Sequence, residues 1–223
     1  MNDTAKNPAA DQPKSRRRVP ADSNLPVLEK LAELFPRLFG AQFLPLKRGI
    51  FQDLQLAHPE LFTTDALKSA LSQHTRSTRY LSAVAQGQQR HDLLGEPVEA
   101  MAPEHVHHAL LEVFRRRQAR SPQDLRPMLR RRMLQAFAQS GLSPEAYAAL
   151  VRSRDEAGNQ LLQEVLSDAR AGAARDEALL RAFETAALSV EDFADMYGMD
   201  AGAAAQALER ARHARGAPAL SEA

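Results

Sequence analysis

Lys47, Arg48, Lys68, Thr75, Arg76, Ser77, Thr78, Arg79, Tyr80 and Arg90 form a basic, hydroxyl-bearing set in the first half of a 223-residue chain. Such a mixture suits a phosphate or a ribose. A helix start after Thr75 and Ser77 offers unpaired backbone N–H groups and hydroxyls, and nearby Arg and Lys add charge. Tyr80 brings a ring that can stack on, or pack beside, an unpaired base. The same residues also suit an ordinary capped helix with solvated charges.

Other chemistry finds little support. The chain holds no Gly-x-Ser-x-Gly elbow, P-loop, Gly-x-Gly-x-x-Gly or His-Glu-x-x-His motif, so no catalytic residue is assigned and no enzyme is expected. His105 and His108 share a helix face beside His107, but without a nearby third ligand they predict no metal site, and no cofactor is expected. Asp92 and Glu96 flank a turn, where capping is their simplest role. The absence of cysteine removes disulfides, thiolate metal sites and cysteine nucleophiles together.

The elements that must position the basic set read as mostly helical. An amphipathic helix starts after Asn24, with Pro26 in its first turn and Val27, Leu28, Leu31, Leu34 and Phe35 at helical spacing, and is expected to end near Gly40. A second follows Pro45, with Ile50, Phe51 and Leu54 inward; a third starts at Thr63-Thr64-Asp65, with Leu67, Ala70 and Leu71 inward; a fourth covers Ser77 to Val84. Gly95 and Pro97 forbid a helix over 89–98, where Leu93, Leu94 and Val98 suggest a small hairpin pairing across a tight turn. Pro103 and Glu104 open another helix with Val106, Leu110, Val113 and Phe114 buried.

Charge is unevenly spread. Residues 1–24 carry five basic and three acidic groups, 25–120 twelve and ten, and 121–223 twelve and fifteen, which favours a polyanion-binding front. Residues 1–24, with Arg16, Arg17 and Arg18, read as a disordered basic arm. Residues 115–132 hold eight arginines against one aspartate. Arg115, Arg116 and Arg117 either extend the phosphate-binding surface or are simply solvated, and 121–132 reads as an Arg-rich linker. No stretch is apolar and long enough for a signal peptide or a membrane span, so a cytoplasmic protein without membrane contact is expected, with a monomer as the default.

Sliding 134–162 by 46 positions onto 180–208 gives ten identities in twenty-nine, including Leu134/Leu180, Phe137/Phe183, Leu142/Leu188, Ser143/Ser189, Glu145/Glu191 and Leu162/Leu208. Each copy reads helix, Leu-Ser-x-Glu, helix, with the serine as N-cap. Residues 133–215 are therefore expected to form an all-α module of two duplicated helical hairpins, followed by a disordered tail at 216–223. The second copy has the outline of a helix-turn-helix around Gly198, but its alanine-rich second helix suits packing better than base reading.

Three ordered segments, PLKRGIFQDL at 45–54, ALKSALSQHTRSTRYL at 66–81 and RHDLLGEPV at 90–98, resemble the successive signatures of the ProQ/FinO domain, and LAELFPRLF at 31–39 is similar to the stretch before them. The resemblance covers 25–120. It implies a helical domain with one small β-hairpin whose basic concave face binds the base of a terminator-like RNA hairpin and its single-stranded 3′ uridine tail. Lys47, Tyr80 and Arg90 match the family's lysine, tyrosine and arginine, Lys68 falls where a basic residue is frequent, and Thr75–Thr78 corresponds to the helix start that receives the RNA 3′ end. The resulting expectation is an RNA chaperone in post-transcriptional regulation, partnered by structured RNA with a free 3′ end. The alternatives are a protein-interaction adaptor or a DNA-binding regulator working through the C-terminal helical module, which would supply a protein partner.

Overall fold

The computed structural model describes residues 24–216, so the basic arm with Arg16, Arg17 and Arg18, and the tail from 217, lie outside the described residues. The described residues form eleven helices and one two-stranded antiparallel sheet. They divide into two compact units: one runs to Ala83 and includes Gln88–Ala100, the other comprises Val84–Gly87 and the chain from Met101.

In the first unit the helix expected to reach Gly40 is two: α1 (Leu25–Leu34) and α2 (Pro36–Phe39). Pro36 lacks an N–H and excludes helical backbone from its predecessor, and Phe35 accordingly sits at φ −129°, ψ 64°. Asn24 makes no side-chain cap; it is buried, and its Nδ2 donates to Gln73 Oε1 at 2.7 Å, tying the start of α1 to α4 (Thr64–Arg76). Thr63 does cap α4, its hydroxyl accepting from the Ala66 N–H. The helix expected after Pro45, α3 (Ile50–Ala57), starts only once Gly49 has turned the chain at φ 85°. A short α5 (Thr78–Val84) follows α4. Leu31, Leu38, Leu54, Leu67 and Ala70 are wholly buried and anchor this unit's core.

The hairpin forms from β1 (Arg90–His91) and β2 (Pro97–Glu99), but not with the pairing expected. Asp92 Oδ1 accepts the N–H groups of Leu94 and Glu96 at 2.9 and 3.0 Å, so the turn occupies 92–96. Arg90 faces Glu99 and His91 faces Pro97, while Leu94 and Val98 are exposed. Arg37 closes the turn from outside, its Nη1 donating to Leu94 O and Glu96 Oε1, both at 2.7 Å.

The second unit begins with α6 (Pro103–Gln118), which buries Val106, Leu110 and Val113 as expected, and His107, Ala109 and Leu111 besides; Phe114 is half-buried. The segment read as a linker, 121–132, contains the start of α7 (Arg126–Ser140). Leu129, Met133 and Ala136 recur at helical spacing beneath its arginines and are buried, so apolar periodicity prevails over the charge run. Arg130 pairs with Glu164 and, at 2.6 Å, with Asp168.

Beyond α7 come α8 (Pro144–Val151), α9 (Glu156–Ala186), α10 (Val190–Tyr197) and α11 (Ala201–Gly216). The duplication is visible in three dimensions. Ser143 and Ser189 cap α8 and α10 by accepting from Ala146 and Asp192 N–H. Tyr147 and Phe193, both fully buried, sit edge-on to Phe137 and Phe183 at 5.4 and 5.2 Å. Where a pair of hairpins was expected, there are two three-helix copies that share α9, because the 31-residue helix has no proline and, past its first turn, a single glycine, Gly172. Helix α11 packs on α9 and buries Ala204, Ala207, Leu208 and Ala211, the packing role favoured over base reading.

Candidate nucleic-acid interface

The three signature segments meet at one residue. Leu46, 3% exposed, lies extended beside β1: the N–H of Lys47 donates to His91 O at 2.9 Å, and the N–H of His91 donates to Pro45 O at 2.8 Å. The N–H of Leu46 itself donates to the Tyr80 hydroxyl at 3.1 Å, and its carbonyl accepts from Arg90 Nη1 at 3.0 Å. Both main-chain polar groups of a buried residue are thus satisfied by side chains distant in sequence. The next two residues, Lys47 and Arg48, emerge from this clamp, and the Arg48 side chain is 78% exposed.

Each cation here meets a carboxylate. Lys47 Nζ stands 2.7 Å from Asp53 Oδ2, on the first turn of α3. Glu99 accepts from the Arg48 N–H and from Arg48 Nε, both at 2.8 Å, and lies 3.9 Å from Arg90 Nε. The hydrogen bond that Lys47 donates to Asp53 raises the Lys47 pKa, and the two bonds donated by Arg48 lower that of Glu99, so Lys47 and Glu99 are held in their charged forms.

The expected ring for an unpaired base is elsewhere. Tyr80 is only 6% exposed, packed 5.2 Å from the His74 ring, and burial raises its hydroxyl pKa. Its hydroxyl holds the Leu46 loop, so Tyr80 is a packing and positioning residue; Arg90, with 13% of its side chain exposed, shares that role. Around Tyr80, His74 stacks between Phe39 and Phe43 at 4.7 and 4.3 Å. Its Nε2 has no hydrogen-bond partner, and burial, with Arg79 nearby, pushes its pKa down to about 4.

At the helix junction Thr75 turns its hydroxyl back to the Leu71 carbonyl at 2.9 Å. Ser77 caps α5 by accepting from the Tyr80 N–H at 3.1 Å, and the Thr78 carbonyl accepts from Ser82 Oγ at 2.8 Å. The Arg79 guanidinium lies over the Phe43 ring, 4.5 Å from its centroid, and donates to the Ala41 carbonyl. Lys68 and Arg76 are exposed on α4. Arg115, Arg116 and Arg117 end α6 in the other unit, where Glu112 pairs with the first two. Sequence reasoning missed Asp53, Glu99, His74 and Arg37. The only advance signal among them was Asp53, whose place in the first turn after Gly49 follows from helix patterning.

No three His, Asp or Glu side chains among the described residues stand together as a metal site. His105 and His108 are exposed, and His107 is buried 6.1 Å from the Tyr147 ring. No helix among the described residues is long and apolar enough to cross a membrane.

Residues 21–126 match the ProQ/FINO family. The chain is 45% identical over 87 residues to the RNA chaperone ProQ of Aeromonas salmonicida, covering 37% of this chain and 41% of that protein. It is 42% identical over 91 residues to the RNA chaperone ProQ of Histophilus somni, covering 39% and 43%. These matches span about two fifths of the relatives' length. The solution structure of a ProQ homolog from Legionella pneumophila aligns with 54% of this chain and 99% of its own, at 30% identity and a TM-score of 0.37. The matched segment takes in α1–α6, the hairpin and every candidate residue from Lys47 to Arg90, and residues 21–126 are a ProQ/FINO-family domain.

Proposed function

We propose that this protein is a cytoplasmic RNA chaperone, a binder and not an enzyme, whose ProQ/FINO-family domain recognises terminator-like hairpins bearing a single-stranded 3′ uridine tail with a free end. It acts on small regulatory RNAs or messenger 3′ ends. The observation that carries this reading is the convergence of the PLKRG, Tyr80 and Arg90 segments on Leu46, which displays Lys47 and Arg48 side by side. The relatives that match the segment, each named an RNA chaperone ProQ, support it.

The physics is consistent with it. An A-form stem hides its base edges in a narrow major groove, so a protein of this kind reads phosphates, 2′-hydroxyls and an unpaired end. In this reading Lys47 and Arg48 meet phosphates, with Lys68, Arg76 and Arg79 as further cations on α4 and α5, while Tyr80 and Arg90 hold the loop. Thr75, Ser77 and Thr78 surround the helix junction assigned to the 3′ end. The test is a titration of a tailed hairpin with a free 3′-hydroxyl beside the same RNA with a 3′-phosphate and a blunt version. Preference for the free-ended tail is expected; equal binding of all three would sink the 3′-end assignment.

A further inference from the structure

Resting on that reading of Lys47 and Arg48 as phosphate contacts, we infer that Glu99 and Asp53 are internal competitors of the RNA: carboxylates that occupy the cations until an RNA phosphate displaces them, holding down affinity and its salt dependence. Around Lys47, Arg48 and Arg90 the surface that reads as basic in sequence is close to balanced in charge. Lys47, Arg48 and Arg90 stand among Asp53, Asp92 and Glu99, all three of which act electrostatically on Lys47. Glu99 is the more committed of the two displaceable groups. One of its oxygens accepts the Arg48 N–H and the other accepts Arg48 Nε, so it holds both the backbone and the guanidinium of the same residue. Asp53 holds Lys47 through a single contact.

Two consequences follow from charge alone. A neutral patch has little long-range pull on a polyanion, so non-specific RNA gains little from it. A phosphate that does bind still sheds its condensed counterion, but the carboxylate it displaces is left uncompensated, which lowers the net release and with it the salt dependence of binding. A ligand that places its phosphates to reach Lys47 and Arg48 together recovers both contacts; a blunt or misaligned RNA recovers one at best. Each phosphate contact thus costs one displaced carboxylate, so the carboxylates lower affinity for every RNA that engages these cations.

The experiment titrates the tailed hairpin and its blunt counterpart into the full chain, and into the Glu99→Gln, Asp53→Asn and Lys47→Ala/Arg48→Ala variants, between about 50 and 200 mM salt. Glutamine keeps one acceptor oxygen for the Arg48 N–H and removes the charge together with the acceptor for Arg48 Nε. Expected for Glu99→Gln is affinity for both RNAs raised about two- to fivefold, the magnitude of an exposed ion pair. The salt slope steepens by about 0.7–0.9. Asp53→Asn changes both in the same direction and guards against a local defect at β2. Unchanged affinity and slope in both variants, with binding still lost in Lys47→Ala/Arg48→Ala, would overturn the inference and leave the interface standing. Weaker binding by Glu99→Gln would also overturn it, by making Glu99 a support for Arg48. Full binding by Lys47→Ala/Arg48→Ala would overturn both.

Discussion

At Leu46 the hydroxyl of Tyr80 and the guanidinium of Arg90 divide the main-chain N–H and carbonyl of one residue between them, and this separates residues that hold the loop from residues it displays. Tyr80→Phe leaves the buried Leu46 N–H without an acceptor, so it should lower unfolding stability by about 1–3 kcal/mol in urea titrations. Lys47→Ala/Arg48→Ala, at a half-buried and an exposed position, should cost about 1 kcal/mol or less yet abolish RNA binding. If Tyr80→Phe weakened RNA binding with stability untouched, the positioning role would be wrong. A second residue-scale expectation concerns His74 and His107, both buried and both with pKa values pushed down to about 4 by burial. The unfolded chain binds these protons from about pH 6.5 downward and the folded chain does not until about pH 4. Stability is therefore full above that window and falls as pH drops through it, by up to about 3 kcal/mol for each histidine. His107→Leu should flatten the denaturant-midpoint profile between pH 6.5 and 4, and an unaltered profile would show that His107 protonates without cost. The types of the interface residues were legible in the sequence, but their roles were not. Tyr80 and Arg90 act on a residue 34 and 44 positions away, and Glu99 on one 51 away, through hydrogen bonds that leave no periodic trace.

Helix boundaries follow local chemistry closely, and the internal duplication provides a control for it. Gly141 ends α7 at φ 65°, and its counterpart 46 residues on, Ala187, ends α9 at φ 53°. It is the one non-glycine residue at positive φ among the described residues. Left-handed backbone costs an L-residue about 1–2 kcal/mol, partly offset by the greater freedom of glycine in the unfolded chain. Ala187→Gly should therefore stabilise by about 0.5–1 kcal/mol and Gly141→Ala destabilise by about 1 kcal/mol or more, read from thermal or urea midpoints. A loss of stability on Ala187→Gly would mean that this turn is held by something other than its own backbone. The Leu-Ser-x-Glu caps, the Thr63 cap and the break at Pro36 belong to the same local class, which is why a sequence shows them or, for Pro36, should have shown them. The shared helix α9 was not legible, because a duplicated pattern marks where each copy begins and ends but not whether the chain between them turns. Likewise the arginines of α7 masked an apolar stripe, Leu129–Met133–Ala136, that only becomes decisive once α9 supplies Glu164 and Asp168 to pair with Arg130.

At the scale of the whole molecule, the family match and the compact units cut the chain in different places. The match ends at residue 126, whereas α6 belongs to the unit formed with α7–α11. Within that unit His107 faces Tyr147 of α8, and Leu111 approaches Gly158 of α9 so closely that a Cβ there would lie 3.1 Å from Leu111 Cδ1. A fragment ending at Arg120 therefore strips the cover from one face of α6, and Leu111 alone is worth about 2 kcal/mol of burial. A fragment ending at Ala171 keeps α7, α8 and the first half of α9, with the cluster of Tyr147, Val151, Leu162 and Leu166 intact. Both fragments retain Lys47, Arg48, Tyr80 and Arg90. The shorter one should melt several degrees lower and associate as concentration rises, through the apolar stripe it exposes, while the longer one should melt as a monomer close to the full chain. RNA affinity measured well below the association range should be similar for the two, since the proposed contacts lie before residue 120. If the fragment ending at Arg120 proved as stable and as monomeric as the longer one, the helices after α6 would be dispensable to the part that carries the proposed RNA contacts. Their duplication would then have to be explained by a task of their own.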